Sequence, residues 1–267
     1  YIESYYKDGK HYFRINNGEI KEASGWVRIV PWAVGTILTI DSYTDRPNWN
    51  QSLNDNKFKG AIEVRYSAKN KKLWVINDLN IEDYLKGVSE PLDSAGYEYI
   101  KAAVIAERSY VYYHLERGGR WPDDFITLKN SRNGNGDDQI YQGYGFTLRG
   151  TNTVRAVEDT KGMVVTYNKK PVLTPYYTQS DGRTRSISEV WGSRQSDYPW
   201  LVSVSDPWSA GGPMLGHGVG MSGKGARGMA ADGKKYDEIL RYFYTGTEIG
   251  SIETNRNVRI GIYSIGM

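Results

Sequence analysis

Asn80-Ile81-Glu82-Asp83-Tyr84-Leu85-Lys86-Gly87-Val88-Ser89-Glu90-Pro91, followed by Tyr97 through Gly119, is the stretch on which the fold turns. Asn80 with Asp83 three residues on has the form of an N-cap and capping box, which predicts a short helix through about Val88. Pro91 biases Glu90 away from helical angles, so this helix is expected to stop with Glu90 at its end. A second helix is predicted from about Tyr97 to Arg117, ended by Gly118-Gly119. Ile100, Ala103, Val104, Val111 and Leu115 form one apolar stripe on it. Ala102, Ala106 and Ser109 form a small-residue stripe beside that one. Close packing on two sides follows, and this helix is expected to be core.

Working outward, the chain before Asn80 reads as strands and turns. His11–Ile15, Trp26–Val30, Ile37–Ile40, Ile62–Tyr66 and Lys72–Ile76 are short β-branched or aromatic runs. Asn16-Asn17-Gly18 is a hairpin-type turn, and the polar stretch 45–56 is a surface loop. Beyond the long helix, 121–150 is loop-rich, with Asn133-Gly134-Asn135-Gly136 its most flexible point. A short helix is expected around Thr153–Asp159, with strands near Met163–Tyr167 and Val172–Gln179. A Gly-rich turn at 216–223 precedes two helices, Ser222–Ala231 and Lys235–Tyr244. Tyr236, Ile239, Leu240 and Phe243 give the second of these the spacing of a one-faced helix, and Gly246 stops it. The expected architecture is α+β. A β-rich N-terminal part, 1–77, packs on a mixed α/β core, 78–250, that holds the long helix and the two C-terminal helices. Residues 251–267 form a tail or closing strand.

Composition narrows the function. The chain has 267 residues, and its 13% aromatic content comes mainly from 22 Tyr and 8 Trp against 5 Phe. Tyr and Trp pair a flat apolar face with a polar handle, which suits sugar rings as well as amphipathic core and rim positions. A net charge of +3 without a run of like charges does not make the clustered basic face of a nucleic-acid binder. With no Cys there is neither a disulfide framework nor a thiolate metal site. His11, His114 and His217 show no metal-ligand spacing, so no metal or cofactor is expected. No apolar stretch reaches the roughly 18–20 residues that cross a bilayer. The chain opens at Tyr1 without a signal-like segment, as a mature or shortened form would, with any export signal or anchor upstream.

Three segments carry the chemistry. The first runs from Asp83 to Pro91 and on through Lys101-Ala102-Ala103 and Ala106-Glu107-Arg108-Ser109-Tyr110. The second is Tyr176-Tyr177-Thr178-Gln179-Ser180-Asp181-Gly182-Arg183-Thr184 with Glu189-Val190-Trp191-Gly192. The third is Gly216-His217-Gly218-Val219-Gly220-Met221-Ser222-Gly223-Lys224-Gly225-Ala226. In this order they resemble the motifs of the SpoIID/LytB family of sporulation and cell-wall proteins, over about Phe58 to Glu248. Glu107 stands where that family usually has a small residue, and Gly223 where Gln is usual. Some members carry a metal near a Cys/His pair; without Cys, the resemblance implies none here.

The resemblance implies a peptidoglycan lytic transglycosylase that cuts the MurNAc–GlcNAc bond outside the cytoplasm, at the cell wall. The catalytic Glu of such members maps onto Glu90. Glycosidic cleavage needs a proton on the leaving oxygen, so one carboxyl must stay protonated near neutral pH in a poorly solvated setting. Most glycosidases need a second carboxylate. A lytic transglycosylase does not, because the substrate's C6 hydroxyl attacks its own anomeric carbon and leaves a 1,6-anhydro sugar. Taken without the resemblance, Glu90 is an ordinary carboxylate at a helix terminus.

Ser180, Gly182, Arg183 and Thr184 suit a polar turn that binds sugar hydroxyls, acetamido groups or a lactyl carboxylate, or a plain strand-to-strand turn; Arg183 offers a planar fork of donors. His217, among glycines, orients Glu90 or a sugar, or is held structurally. Trp191 is a sugar platform or a core residue. Tyr110 and Arg108 pack on the long helix, with Arg108 paired to Glu107 or Glu90, and Ser222 supports the third segment. A cleft is expected to place Glu90 near Ser180–Thr184 and His217.

Two rivals stand beside this. One is a non-catalytic wall-binding module that enhances a separate cell-wall amidase. The other is a hydrolytic muramidase with Asp206 or Glu189 as second carboxylate. The expected partners are glycan strands and such an amidase. Gly216-x-Gly218-x-Gly220 lacks the dinucleotide spacing, Gly223-Lys224-Gly225 lacks the P-loop arrangement, and Ser180 is not in a G-x-S-x-G elbow.

Overall fold

In the computed structural model, which describes residues 1–131 and 138–266, the long helix runs Tyr97–Leu115. The predicted flexible point at Asn133–Gly136 lies outside the described residues. The helices are α1 (Ile81–Leu85), α2 (Tyr97–Leu115), α3 (Gly143–Arg149), α4 (Thr151–Asp159), α5 (Ile187–Trp191), α6 (Gly223–Ala231) and α7 (Tyr236–Phe243). With several β-sheets they make an α+β fold. The chain divides into two compact units, each discontinuous: 1–88 with 114–149 and 255–267, and 89–113 with 150–254.

The first unit is organised by a five-stranded sheet in the order Val27–Ile29, Ala61–Ser67, Lys72–Asn80, Asn257–Gly266, Leu128–Lys129. The residues after 251 supply a closing strand, paired antiparallel to Lys72–Asn80 from Asn257↔Asn80 to Gly266↔Lys72. Trp74, Ile76 and Ile126 form a buried cluster with Trp121 and Phe125 packed on it. Gly261 is required there, since a Cβ would lie 2.6 Å from the Ile126 Cδ1 atom. Buried Glu63 and Asp78 are matched by Arg28 and Arg259, so the charges leave water only in company.

α1 opens as expected: the Asn80 side chain accepts the Glu82 N–H. It is shorter than predicted, and Glu90 does not sit at its end but in the connection beyond. The reason is Gly87, where a Cβ would lie 2.6 Å from the Tyr141 ring and 2.8 Å from the Gly143 carbonyl oxygen. The chain leaves the helix to make that approach, and Val88 bridges to Tyr141. The predicted loop 121–150 also needs correction, because α3 lies within it. Two glycines hide its helical propensity. Packing of Phe146 and a bidentate Arg149–Asp55 pair at 2.8 and 2.9 Å hold it instead.

In the second unit α2 is the core. It is buried over 102–109 without a break, including Glu107, Arg108 and Ser109, so it is enclosed on more sides than its two stripes foretold. Its polar side chains and carbonyls are met by the flanking chain. Ser109 Oγ donates to the Ile105 carbonyl and accepts the Val165 N–H at 2.8 Å, and Thr174 Oγ1 donates to the Ala106 carbonyl at 2.7 Å. Met163–Tyr167 is a strand as predicted, between Lys170–Pro171 and Glu248–Ser251. The expected strand 172–179 shrinks to Tyr176–Tyr177, parallel to Met221–Ser222. Pro171 and Pro175 have no N–H to give a ladder.

Candidate functional site

Glu90 sits half-buried in the connection between α1 and α2, ahead of buried Pro91. Its partner in electrostatics is Glu107, fully buried on α2. Burial pushes the Glu107 carboxyl well above the carboxylate range; the charge of Glu90 acts in the same direction, and Arg108 opposes them. Tyr99 belongs to the same group. Its phenol is pushed up to about 12, first by burial and then by Glu107, with Arg227 opposing and Glu90 adding. The sequence marked Glu107 only as a departure from the family pattern and a partner for Arg108, and did not mark Tyr99. The signal for Glu107 was present, as a carboxyl in an otherwise apolar or small-residue turn of a core helix.

Glu107 carries a testable consequence. A carboxyl whose folded pKa is raised is protonated in the folded chain where the unfolded chain ionises it. Its contribution is therefore complete below the unfolded value and is lost as pH rises toward the folded value. Glu107→Gln keeps the neutral shape, so it is expected to raise the melting temperature at pH 7 and leave it unchanged near pH 4. Melting curves across that range check it; an equal shift at both ends contradicts a protonated Glu107.

Arg108, also fully buried, spends donors on two carbonyls and a hydroxyl of the chain that packs against α2. It reaches Met163 O at 3.1 Å, Val157 O at 3.3 Å and Thr160 Oγ1 at 3.4 Å. Tyr110, half-buried, follows on the same helix.

The second and third segments are bound together through Asp206. Ser180 Oγ donates to Asp206 Oδ2 at 2.6 Å and accepts the Gly182 N–H at 3.2 Å. The Asp206 N–H returns to the Gly182 carbonyl at 2.8 Å. Ser180, Thr184 and Asp206 are each 0% exposed. Thr184 Oγ1 accepts the Val204 N–H at 2.9 Å. Arg183 is exposed and lies against Glu189, with both terminal nitrogens 3.1 Å from Glu189 Oε1. Glu189 in turn closes the capping box of α5 with Ser186. Arg185 clasps Asp181 and donates its backbone N–H to the Gly218 carbonyl at 2.7 Å, which ties the serine turn to the glycine segment.

Ser222 caps α6, its Oγ accepting the Gly225 N–H at 3.2 Å. Gly225 and Gly228, one turn apart, admit the loop 206–209 to the face of α6. A Cβ on Gly225 would lie 2.4 Å from Asp206 Oδ1, and one on Gly228 2.4 Å from the Trp208 ring. Gly225→Ala is therefore expected to push Asp206 off Ser180 and cost about 1–3 kcal/mol. Urea titration measures it, and a wild-type midpoint would contradict the packing. Asp206 was foreseen only as a rival second carboxylate. The glycines spaced three apart on a helix were the signal for its place.

His217 is neutral in its surroundings. Burial lowers its imidazole, with a hydrogen bond to the Tyr176 backbone pulling the other way, and Nδ1 accepts the Val219 N–H at 3.1 Å. Its ring lies 5.0 Å from that of Trp191 and 5.4 Å from that of Tyr177. Trp191, at the end of α5, is 45% exposed, so its indole offers a free face. The residues thus form three groups: Glu90, Glu107, Tyr99 and Arg227; Ser180, Asp206, Thr184 and Ser222; and Trp191, His217 and Tyr177. Gly223 lies between the first and third groups, since a Cβ there would meet Tyr99 Oη at 3.4 Å and the Thr178 and Tyr177 carbonyls at 3.2 and 3.3 Å. Among the described residues no group of three His, Cys, Asp or Glu side chains is placed to hold a metal ion, and no helix is long and apolar enough to cross a membrane.

Comparison with known proteins gives a consistent set. Residues 69–167 match the family model described as SpoIID, stage II sporulation protein, which takes in Glu90 and α2. The second and third segments lie beyond that range. The chain is 29% identical over 212 residues to the amidase enhancer of Bacillus subtilis, covering 76% of this chain and 26% of that protein. It is 21% identical over 275 residues to the stage II sporulation protein D of Bacillus subtilis, covering 68% of this chain and 78% of that protein. An uncharacterized protein of Brachyspira hyodysenteriae is 24% identical over 288 residues, covering 77% and 75%.

Proposed function

The chain is a SpoIID/LytB relative, and on that premise we propose that it acts on the bacterial cell wall, outside the cytoplasm, as a peptidoglycan lytic transglycosylase. The observation that carries this reading is the Glu90–Glu107 pair. Burial holds the Glu107 carboxyl well above the carboxylate range, the charge of Glu90 acts in the same direction, and Glu90 is the member that is not sealed in. Glu90 gives its proton to the oxygen between MurNAc and GlcNAc as the C1–O bond breaks. Its carboxylate then takes the proton of the C6 hydroxyl as that oxygen closes on C1. The Glu is left protonated, and the product ends in 1,6-anhydroMurNAc.

The other carboxyls support ring closure over attack by water. Asp206 is buried against Ser180, Glu189 caps α5 and pairs with Arg183, and Glu107 is fully enclosed. None of these three stands ready to activate water as an inverting or retaining hydrolase requires. In this reading Trp191 is the platform for a sugar ring, with His217 setting its tilt. Gly182, Arg183 and Tyr110 face the strand, Ser180 and Thr184 brace the turn from within, and Arg108 and Ser222 hold the helices. The amidase enhancer relative favours a second reading, a glycan-binding module that stimulates a wall amidase. Mass spectrometry of purified wall incubated with the chain separates them: anhydro ends support the transglycosylase, reducing MurNAc ends a muramidase, and binding without turnover the enhancer.

A further inference from the structure

The connection that carries Glu90 is fastened three residues further on. Asp93 lies at the start of α4, although it belongs to another part of the sequence. Its Oδ1 accepts the Thr153 N–H at 2.7 Å and the Thr153 hydroxyl at 3.0 Å. Its Oδ2 accepts the Asn152 N–H at 3.3 Å, and the Asn152 side-chain amide returns a bond to the Asp93 carbonyl at 2.8 Å. α4 has a glycine, Gly150, at its N-cap, with no side chain to satisfy the first-turn N–H groups, and no acidic residue of its own there. Asp93 supplies both the acceptor and the negative charge that a helix start favours. Thr153 is fully buried, so the grip is anchored in the second unit's interior.

We propose that Asp93 is a positioning residue for Glu90: by locking the connection onto the first turn of α4, it sets where the Glu90 carboxyl stands when the glycosidic oxygen arrives. Between the two residues lie only buried Pro91, whose ring fixes its φ, and Leu92. So short a link has few torsions in which to absorb a shift, and a displacement at Asp93 is passed to Glu90. Asp93 does not touch substrate in this account. It acts on the rate of proton transfer, which falls steeply when the donor is misplaced by about an ångström.

The inference rests on Glu90 being the acid, and the test separates the two. Soluble glycan strands are digested by the whole chain, following anhydro ends, with Asp93→Ala, Asp93→Asn, Thr153→Val and Glu90→Gln beside wild type. Asp93→Ala is expected to lower kcat about 10- to 100-fold with KM within about twofold. Asp93→Asn keeps an acceptor for the Thr153 N–H and is expected to recover most of that loss. Thr153→Val removes only the hydroxyl's bond and gives a smaller fall in kcat. Wild-type kcat in Asp93→Ala, equal changes in kcat and KM, or no recovery with Asn would overturn the proposal. Should Asp93→Ala not fold, wild-type kcat in Thr153→Val overturns it. If Glu90→Gln cleaves like wild type, the functional reading fails instead.

Discussion

Glu90→Gln is expected to remove anhydro-ended products from digests of purified wall while leaving the circular dichroism spectrum and melting behaviour near those of wild type. The amide matches the carboxylic acid in shape but has no proton to give, so the loss falls on the bond-breaking step. Loss of a general acid costs about 10²–10⁴ in rate, and the same residue serves again as base, which places the expectation at the upper end. Glu90 lies in a connection rather than in the core, half-buried, so folding does not depend on its charge. Its neighbour sharpens the result. In Glu90→Gln, Glu107 loses the negative charge that helps raise its carboxyl and keeps the burial that is the larger cause, so it stays protonated and enclosed. It cannot take over as donor. Product formation at the wild-type rate would remove Glu90 from the chemistry, whereas wall binding without turnover by the wild-type chain would leave the enhancer reading.

Arg108→Ala is expected to be the most destabilising single change at this site. The guanidinium is fully buried and joins α2 to the backbone at Val157 and Met163 and to the Thr160 hydroxyl. Truncation leaves those acceptors without their donors, opens a cavity, and removes the positive charge of Arg108 that favours the ionised form of Glu107. Breaking a buried charged network in this way costs about 3–5 kcal/mol, a large share of the roughly 5–15 kcal/mol that holds a typical fold. Arg108→Lys is expected to recover only part, because an ammonium cannot reach several acceptors in one plane as the guanidinium does. The shift in urea midpoint at constant slope measures both. A midpoint within experimental scatter of wild type would mean that α2 is not held through this side chain.

The parts of the fold legible in the sequence are those where one residue type has one physical meaning. Gly118 and Gly119, with φ of +81° and +98°, end α2 two residues from the expected place. Asn80 caps α1 and Ser222 caps α6, as polar residues ahead of an apolar period should. What escaped reading depends on partners distant in sequence. α3 is a helix because Arg149 finds Asp55 and Phe146 finds a core, which its own glycines would not suggest. The strand Ile2–Lys7 exists because Lys10–Ile15 folds back on it around a turn at Asp8 and Gly9. Of the candidate site, the sequence pointed to half-buried Glu90 and exposed Trp191, whereas the burial of Glu107 and Asp206 was not legible in it. A buried carboxyl is visible only once its neighbours are known.

The sheet of the first unit has a consequence for how the chain is made. Asn257–Gly266 occupies an interior place, between Lys72–Asn80 and Leu128–Lys129. A polypeptide emerging from its N-terminus has most of that sheet's strands early, yet two unzipped edges persist until position 266 has cleared the ribosome or export channel. Until then both edges offer unpaired N–H and C=O groups to any passing strand. Vectorial synthesis thus leaves this unit open to foreign pairing until its last strand arrives, and a holding chaperone has its clearest task there.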